Sequence, residues 1–473
     1  MSVASTPEGT SQMNNSFASP DDIRTMFSRA MSAMYRDEVP AYGSLLDLVK
    51  TVNDKVLADD PAEKARLAAL DELDRIGEER HGAIRLGTAQ ELSTMRRLFA
   101  VMGMYPVGYY DLSVAGVPVH STAFRPLDDA ALSANPFRVF TSLLRLDLID
   151  DAELRDAAAD VLNARQIYTP ECLALIDTAE AQGALTNAQA EAFVAAALET
   201  FRWHPEANVS HAMYTRLHDA HRLVADVVAF KGPHINHLTP RTLDIDTVQA
   251  RMPDWQITPK AVIEGPPTRK VPILLRQTSF KALEEPVTYR DGQTSVEGSH
   301  TARFGEIEQR GVALTPKGQA LYDRLLGETR EIVRPAADGS NAAEYMAKLS
   351  ETFGEFPDDL DAMRRDGLGY FRYSPTGKAA TASDMTREAD VLVTAGILRA
   401  DPIVYEDFLP VSAAGIFQSN LGDDSAQAFS ANPNRMRFEE DLGAPVHDLH
   451  QLYAETEAAS LARARASLAS VNA

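Results

Sequence analysis

Only one cysteine, Cys172, occurs among the 473 residues. An intrachain disulfide is therefore excluded, and the chain suits a reducing compartment. Cys172 falls in the first turn of an expected helix, TPECLALID, where a small buried side chain is its expected role. Long hydrophobic runs are also missing. None approaches the roughly 20 residues that span a bilayer. The N-terminal MSVASTPEGTSQMNNS lacks a basic cluster followed by an apolar core, so it does not read as a signal peptide. The expectation is a cytoplasmic protein with no membrane partner. Basic residues are in deficit, with 46 Lys and Arg against 68 Asp and Glu and a formal net charge of −22. Such a surface repels phosphate backbones, which argues against nucleic acid as a partner. It also sets a condition on any anionic substrate, whose pocket must supply local positive charge, as a metal ion and a placed arginine do. P-loop, HExxH, CxxC, nucleophile-elbow and complete dinucleotide signatures are all absent from the sequence.

The composition is that of an ordinary globular protein, 45% hydrophobic and 24% charged, and the length allows two or three structural units. Residues 1–18 read as a flexible tail. Ser19-Pro20-Asp21-Asp22 supplies an N-cap, a proline at the first helical position and acidic residues in the first turn. Helical patterns continue to about residue 79, broken near Pro40. HGAIRLGT then reads as a strand, QELSTMRRLFAVMG as a helix, and PVGYYDLS and VPVHSTAF as strands joined by VAG. NPFRVFTSLLRL fits either a strand or a helix. Residues 19–146 thus hold N-terminal helices and a first βαβββ module.

Residues 147–230 are expected to be a helical insertion. Thr169-Pro170 opens one helix and Gly183 closes it, and Thr186 with Gln189 forms a capping box for the next. Strand character returns in GPHINHLT, followed by the helix DIDTVQARM and the strands KVPILLRQTSF, PVTYRDG and HTARFGEIEQRGVAL. Residues 231–314 therefore repeat the element order of the first module. Residues 315–473 read as mainly helical, with a loop near 405–420 and an Ala- and Arg-rich final helix expected to pack on the body or on a second subunit.

Side chains two apart share a strand face, so His81, Ala83 and Arg85 point the same way. A histidine and an arginine across a small alanine suit a metal ligand beside an anion clamp. His234 and His237 are three apart and face opposite sides of a strand, so at most one joins a site. His237 is read as the end of its strand, with a lead into the following helix like that of His81, which favours it over His234. Glu306 and Glu308 share one face, and the spacing leaves open which of them is a ligand. His120, also strand-borne, is a candidate lining residue of the same cavity. Two histidines and a carboxylate from separate strands form the facial triad that holds ferrous iron with open positions, though zinc, manganese and cobalt accept such ligands too.

HGAIRLGT, VPVHSTAFRP, FKGPHINHLTPRTLDID, RFGEIEQRGVALTPKG and DFLPVSAAGIFQSNLG occur in that order, and together they resemble the 2-oxoadipate dioxygenase/decarboxylase family. The likeness runs from about residue 20 into the C-terminal region. It implies an α+β fold, a vicinal-oxygen-chelate-like β-barrel or sheet built from paired βαβββ modules, with large helical insertions and a helical C-terminal region. It implies Fe(II) on His81, His237 and Glu306, with Glu306 chosen over Glu308. It places Arg85 on the distal carboxylate of a 2-oxo dicarboxylic acid, with the backbone around Val411 and Ser412 completing that pocket. The implied reaction consumes O2 and converts 2-oxoadipate to 2-hydroxyglutarate and CO2, in the setting of lysine degradation. Two alternatives stand beside it: a non-redox metal-dependent isomerase or lyase of the same fold, and a non-catalytic small-acid-binding protein. Self-association into a homo-oligomer is left open.

Overall fold

Alternating apolar and polar residues, punctuated by caps and glycines, set the first module. The computed structural model describes residues 16–280, 284–291, 294–301, 303–336, 339–381, 384–409 and 433–471. Arg80–Leu86 forms β1, followed by the helix Ala89–Val101 and by Tyr105–Asp111 (β2), Val119–Arg125 (β3) and Arg138–Leu144 (β4), the expected βαβββ order. Thr88 caps the helix by accepting from the Glu91 amide. Gly116, at φ 76°, makes the turn before β3 in a region that other residues enter with strain. NPFRVFTSLLRL resolves as a strand, in keeping with its Val, Phe and Thr content.

The second module comprises His237–Pro240 (β5), the helix Ile245–Arg251, Leu275–Ser279 (β6) and Glu306–Arg310 (β9). A hairpin of Glu285–Asp291 (β7) and Thr294–His300 (β8) is inserted before β9. Both modules share one topology. The first strand runs parallel to the last, β1 with β4 and β5 with β9 through the Arg241–Glu308 bridge. The last strand runs antiparallel to another strand of its module, β4 with β3 and β9 with β6. The modules meet at the antiparallel β1–β5 pair, which sets His81 opposite Thr239 and Ala83 opposite His237.

Several expectations need correction. The sheet does not close into a barrel among the described residues. It has five strands, ordered β2-β3-β4-β1-β5, and β5 is only four residues long. His237 begins its strand rather than ending it. Pro233 has no amide to offer a ladder, and the first bond to β1 here is from Asn236 N to Ala83 O at 2.9 Å. The strand expected in KVPILLRQTSF shrinks to β6, immediately after Leu274 at φ 51°. The C-terminal region contains an unforeseen hairpin, Phe371–Pro375 (β10) with Leu398–Pro402 (β11).

Other expectations hold. The segment 147–230 is helical, Gly183 closes Pro170–Gln182 at φ 77°, and both bonds of the Thr186–Gln189 capping box form. Cys172 is buried, and burial pushes its thiol up to about 12. Residues 16–18 depart from the expected flexible tail: they pair with the turn before that capping box, where Ala18 N reaches Leu185 O at 2.9 Å. The final helix, Leu449–Val471, packs on the body. Its Glu457 and Ser460 accept the β10 amides of Phe371 and Tyr373 at 2.8 and 2.9 Å, which satisfies a strand edge. No described helix is long and apolar enough to cross a membrane.

The helices Pro20–Glu38, Pro40–Asp59 and Ala89–Val101 contribute Phe27, Leu45, Leu92 and Phe99 to the largest core. These pack with Ile84, Leu86, Phe124 and Val139 from one face of the sheet. That leaves the other face, the one bearing His81, for chemistry.

Candidate metal centre

Strand periodicity puts His81, Ala83 and Arg85 on the β1 face turned away from that core. Cross-strand register adds His237 and Thr239 of β5 to the same face. The ligand atoms of His81, His237 and Glu306 all lie within 4.8 Å of one another. Glu306 Oε2 is the shared vertex, 3.1 Å from His81 Nε2 and 3.5 Å from His237 Nε2. Thr239 Oγ1 donates to the same oxygen at 3.0 Å.

Glu308 stands behind this cluster. Its Oε2 lies 2.7 Å from His81 Nδ1, and Arg310 donates to both of its oxygens at 2.8 Å. The two glutamates, indistinguishable by spacing, are thus separated by geometry: Glu306 meets both imidazoles, while Glu308 orients one from the rear. Carboxylates in that position fix the tautomer and ring angle of metal-binding histidines. Glu308→Gln is accordingly expected to weaken metal binding about 10- to 100-fold, read by competition with a chelator. Unchanged affinity would remove Glu308 from this role.

Close packing sets the approach of the three strands. A Cβ on Gly82 would lie 2.5 Å from Ile235 Cδ1 and 3.3 Å from His237 O. A Cβ on Gly305 would overlap the Phe280 ring at 1.7 Å, so glycine is what lets that ring cross the backbone entering Glu306. The buried Tyr35 hydroxyl sits 2.7 Å from Phe304 O and 3.1 Å from Asn236 O. It joins the two segments that lead into Glu306 and His237.

The electrostatics favour a cation. Burial holds the His237 imidazole down to about 4, which leaves it neutral. Its Nδ1 is buried without a hydrogen-bond partner among the described residues. Burial pushes the Glu306 carboxyl up, but His237 and His81 outweigh it and hold the group below its ordinary value. Burial likewise opposes ionisation of Glu308, and Arg310 with His81 brings it to about 2. Burial lowers His81, but Glu308 and Glu306 together draw it above its usual value. An imidazole held between two carboxylates is a place where a metal ion readily replaces a proton.

Arg85 lies near this cluster, and its charge helps keep His237 neutral. Its Nη1 is 2.6 Å from Asp226 Oδ2, with a quarter of its side chain (25%) exposed. Burial pushes the Asp226 carboxyl up, but Arg85 and His234 outweigh it and hold it well below the usual range. Phe408 places its ring 4.8 Å from that of His81 and packs with Phe140 and Tyr110. It is held there by Tyr405, which donates to its carbonyl at 2.6 Å, and by the neighbouring Arg125–Asp407 pair at 2.7 Å. Val411 and Ser412 lie outside the described residues.

His234 turns to Asp226 at 3.3 Å and takes no part in the cluster, as its spacing from His237 implied. His120 does not line the cavity. It sits on β3 opposite Leu143, on the helix-covered face, and packs its ring 4.7 Å from Phe438. Sequence reasoning missed Asp226, Tyr35 and Phe408, while the Glu308–Arg310 pair fits its reading of one glutamate as a salt-bridge partner. Asp226 carried a signal, being the lone acid inside RLVADVVA.

Comparison with known proteins identifies the family. The family model described as 2-oxoadipate dioxygenase/decarboxylase matches residues 27–420. A Pseudomonas putida protein named 2-oxoadipate dioxygenase/decarboxylase is 59% identical, over 94% of this chain and 97% of its own. An Escherichia coli protein of the same name is 58% identical, over 94% and 98%. The crystal structure of the Pseudomonas putida hydroxyglutarate synthase in complex with 2-oxoadipate superposes with a TM-score of 0.89 at 58% identity, covering 96% of this chain and 99% of that one. With a family model spanning most of its length and relatives this similar end to end, the chain belongs to the 2-oxoadipate dioxygenase/decarboxylase family.

Proposed function

We propose that His81, His237 and Glu306 hold Fe(II), and that Arg85 binds the distal carboxylate of 2-oxoadipate while its 2-oxo acid end meets the metal. The observation that carries this is the convergence of two imidazoles and one carboxylate on a face that also bears Arg85. The overall reaction balances without an outside reductant: 2-oxoadipate and O2 give 2-hydroxyglutarate and CO2. The substrate's C1 leaves as CO2, and the two oxygen atoms enter the new carboxylate and the hydroxyl of the product. Iron held by His81, His237 and Glu306 would supply the redox chemistry.

The rest falls to the chain's own residues. Arg85 orients the diacid with a planar fork suited to a carboxylate. Phe408, Phe140 and Tyr110 form an apolar wall beside His81 that limits water near the reacting end. Glu308 keeps the rear nitrogen of His81 engaged, and Thr239 fixes the Glu306 oxygen that faces both rings. The reading includes the segment near 405–420 as a contributor to the substrate pocket, the cytoplasm as the compartment and lysine degradation as the setting.

The direct test is oxygen uptake by anaerobically iron-loaded protein given 2-oxoadipate, with products read by mass spectrometry. Uptake with CO2 and 2-hydroxyglutarate is expected. No uptake with any 2-oxo acid would move the assignment to non-redox metal chemistry. Arg85→Leu is expected to lower kcat/KM for 2-oxoadipate about 100-fold, the loss of a charge-assisted pair. It should hardly affect 2-oxohexanoate, which lacks the distal carboxylate. Equal losses on both substrates would place Arg85 elsewhere in the mechanism.

A further inference from the structure

Asp226 occupies the helix Arg222–Ala229 among the buried Val224, Ala225, Val227 and Val228. A carboxylate there is costly unless every lone pair is used. Both oxygens are engaged. Oδ2 takes Arg85 Nη1 at 2.6 Å, and Oδ1 lies 2.9 Å from His300 Nε2 and 3.3 Å from His234 Nε2. His300 is itself pinned: its Nδ1 is 2.8 Å from the Tyr214 hydroxyl, and its ring stacks with that of Trp203. Asp226 cannot turn without breaking these contacts. Four separate parts of the chain, the helix His211–Ala220, the helix Arg222–Ala229, the segment before β5 and the end of β8, converge on one guanidinium of β1.

Arg85 is partly exposed, whereas Asp226, His234 and His300 are buried. Its guanidinium has five donors, and Asp226 takes a hydrogen bond from one of its nitrogens, Nη1. An arginine left free in such a pocket would have to be ordered when substrate binds, at a cost in affinity. Asp226 orders it beforehand and leaves donors for an anion.

We propose that Asp226 is a positioning residue that holds Arg85 at a fixed reach from the metal centre, and so sets the preference for a 2-oxo diacid over the matching monoacid. The inference rests on the reading of Arg85 as the distal-carboxylate clamp. A plain salt bridge would not need two histidines and a tyrosine behind its carboxylate.

The test is calorimetric titration of iron-loaded protein, without oxygen, with 2-oxoadipate and with 2-oxohexanoate, followed by steady-state kinetics. Asp226→Asn is expected to raise the Kd of 2-oxoadipate about tenfold while leaving that of 2-oxohexanoate unchanged. In turnover, KM should rise with kcat largely kept, and Asp226→Glu should restore part of the loss. Tyr214→Phe, one contact further out, should shift the same ratio about two- to threefold, and it decides the question if Asp226→Asn does not fold. An unchanged ratio of the two Kd values, or equal weakening of both, overturns the proposal. Wild-type protein that fails to discriminate the two acids overturns the Arg85 reading itself, and the proposal with it. Failure of Asp226 alone is distinguished by wild-type discrimination that survives in the variants.

Discussion

Glu306→Ala is expected to strip the metal from the protein and to lower turnover about a thousandfold or more, the several kcal/mol that a bound metal contributes to such a transition state. The reason is geometric. One oxygen of Glu306 lies 3.1 Å from His81 Nε2 and 3.5 Å from His237 Nε2, and it is the negative vertex of the cluster. Alanine leaves the two imidazoles with no shared carboxylate, and it deprives the Thr239 hydroxyl of its acceptor. Glu306→Gln separates charge from volume, because the amide keeps the packing and an oxygen but loses the charge. Metal content per chain after desalting and oxygen uptake at saturating substrate are the two readouts. Both variants should fail both measurements, whereas Glu308→Gln should bind metal more weakly yet still turn over when metal is in excess. Full metal retention by Glu306→Ala would hand the ligand role to another group, and Glu308 would be the first to examine.

That contrast also marks what the sequence could and could not convey. The first module was legible because each boundary has a local cause: the Thr88 cap, the Gly116 turn, the alternation in HGAIRLGT. His81 and Arg85 could be placed on one face from periodicity alone. Glu306 and Glu308 could not be separated, since they too are two apart on a strand, and only the β5–β9 and β1–β5 pairings decide which one meets both histidines. Strand β8, TSVEGSH, escaped notice because most of it is exposed and it has no apolar alternation. Strands β10 and β11 are five residues each and end in proline, so their signal was weaker than that of the helices around them. Partnerships across the chain were the least legible. Arg85 and Asp226 are 141 positions apart, and nothing local to either names the other.

The second large effect is expected from Glu79→Gln, at a residue outside the His81, His237 and Glu306 cluster. Glu79 is fully buried at the entrance to β1. Its Oε1 lies 2.9 Å from Arg138 Nη2 and 3.4 Å from Arg310 Nε, and its Oε2 lies 3.0 Å from Arg241 Nη1 and 3.4 Å from Arg75 Nε. Burial pushes its carboxyl up, but Arg75, Arg241, Arg138 and Arg310 outweigh it and hold it well below the usual range. The same arginines serve Glu406 and Glu308, so the charges form one network beneath the His81, His237 and Glu306 cluster. Replacing an entire buried network with apolar side chains can be neutral, but removing one partner leaves an uncompensated charge, which typically costs about 3–5 kcal/mol. Glu79→Gln should therefore lower the unfolding free energy by that amount, read in urea as a lower midpoint with the slope unchanged. It should also loosen Arg310, and through it the Glu308 contact that orients His81, so metal affinity should fall even in protein that remains folded. The pH dependence has a definite sign. Burial opposes ionisation of Glu406, but Arg75 and Arg138 bring it from 4.5 to about 2. A carboxylate depressed in this way stabilises the fold fully above its unfolded value, and the contribution is lost as pH falls through the folded one. Wild-type stability should accordingly decline between about pH 4.5 and 2, and Glu79→Gln should lose less over that window because it has one fewer buried carboxylate to protonate. An unchanged midpoint would mean that water or a rearranged arginine compensates the missing charge, and the network would then have no special role in holding β1 beneath the His81, His237 and Glu306 cluster.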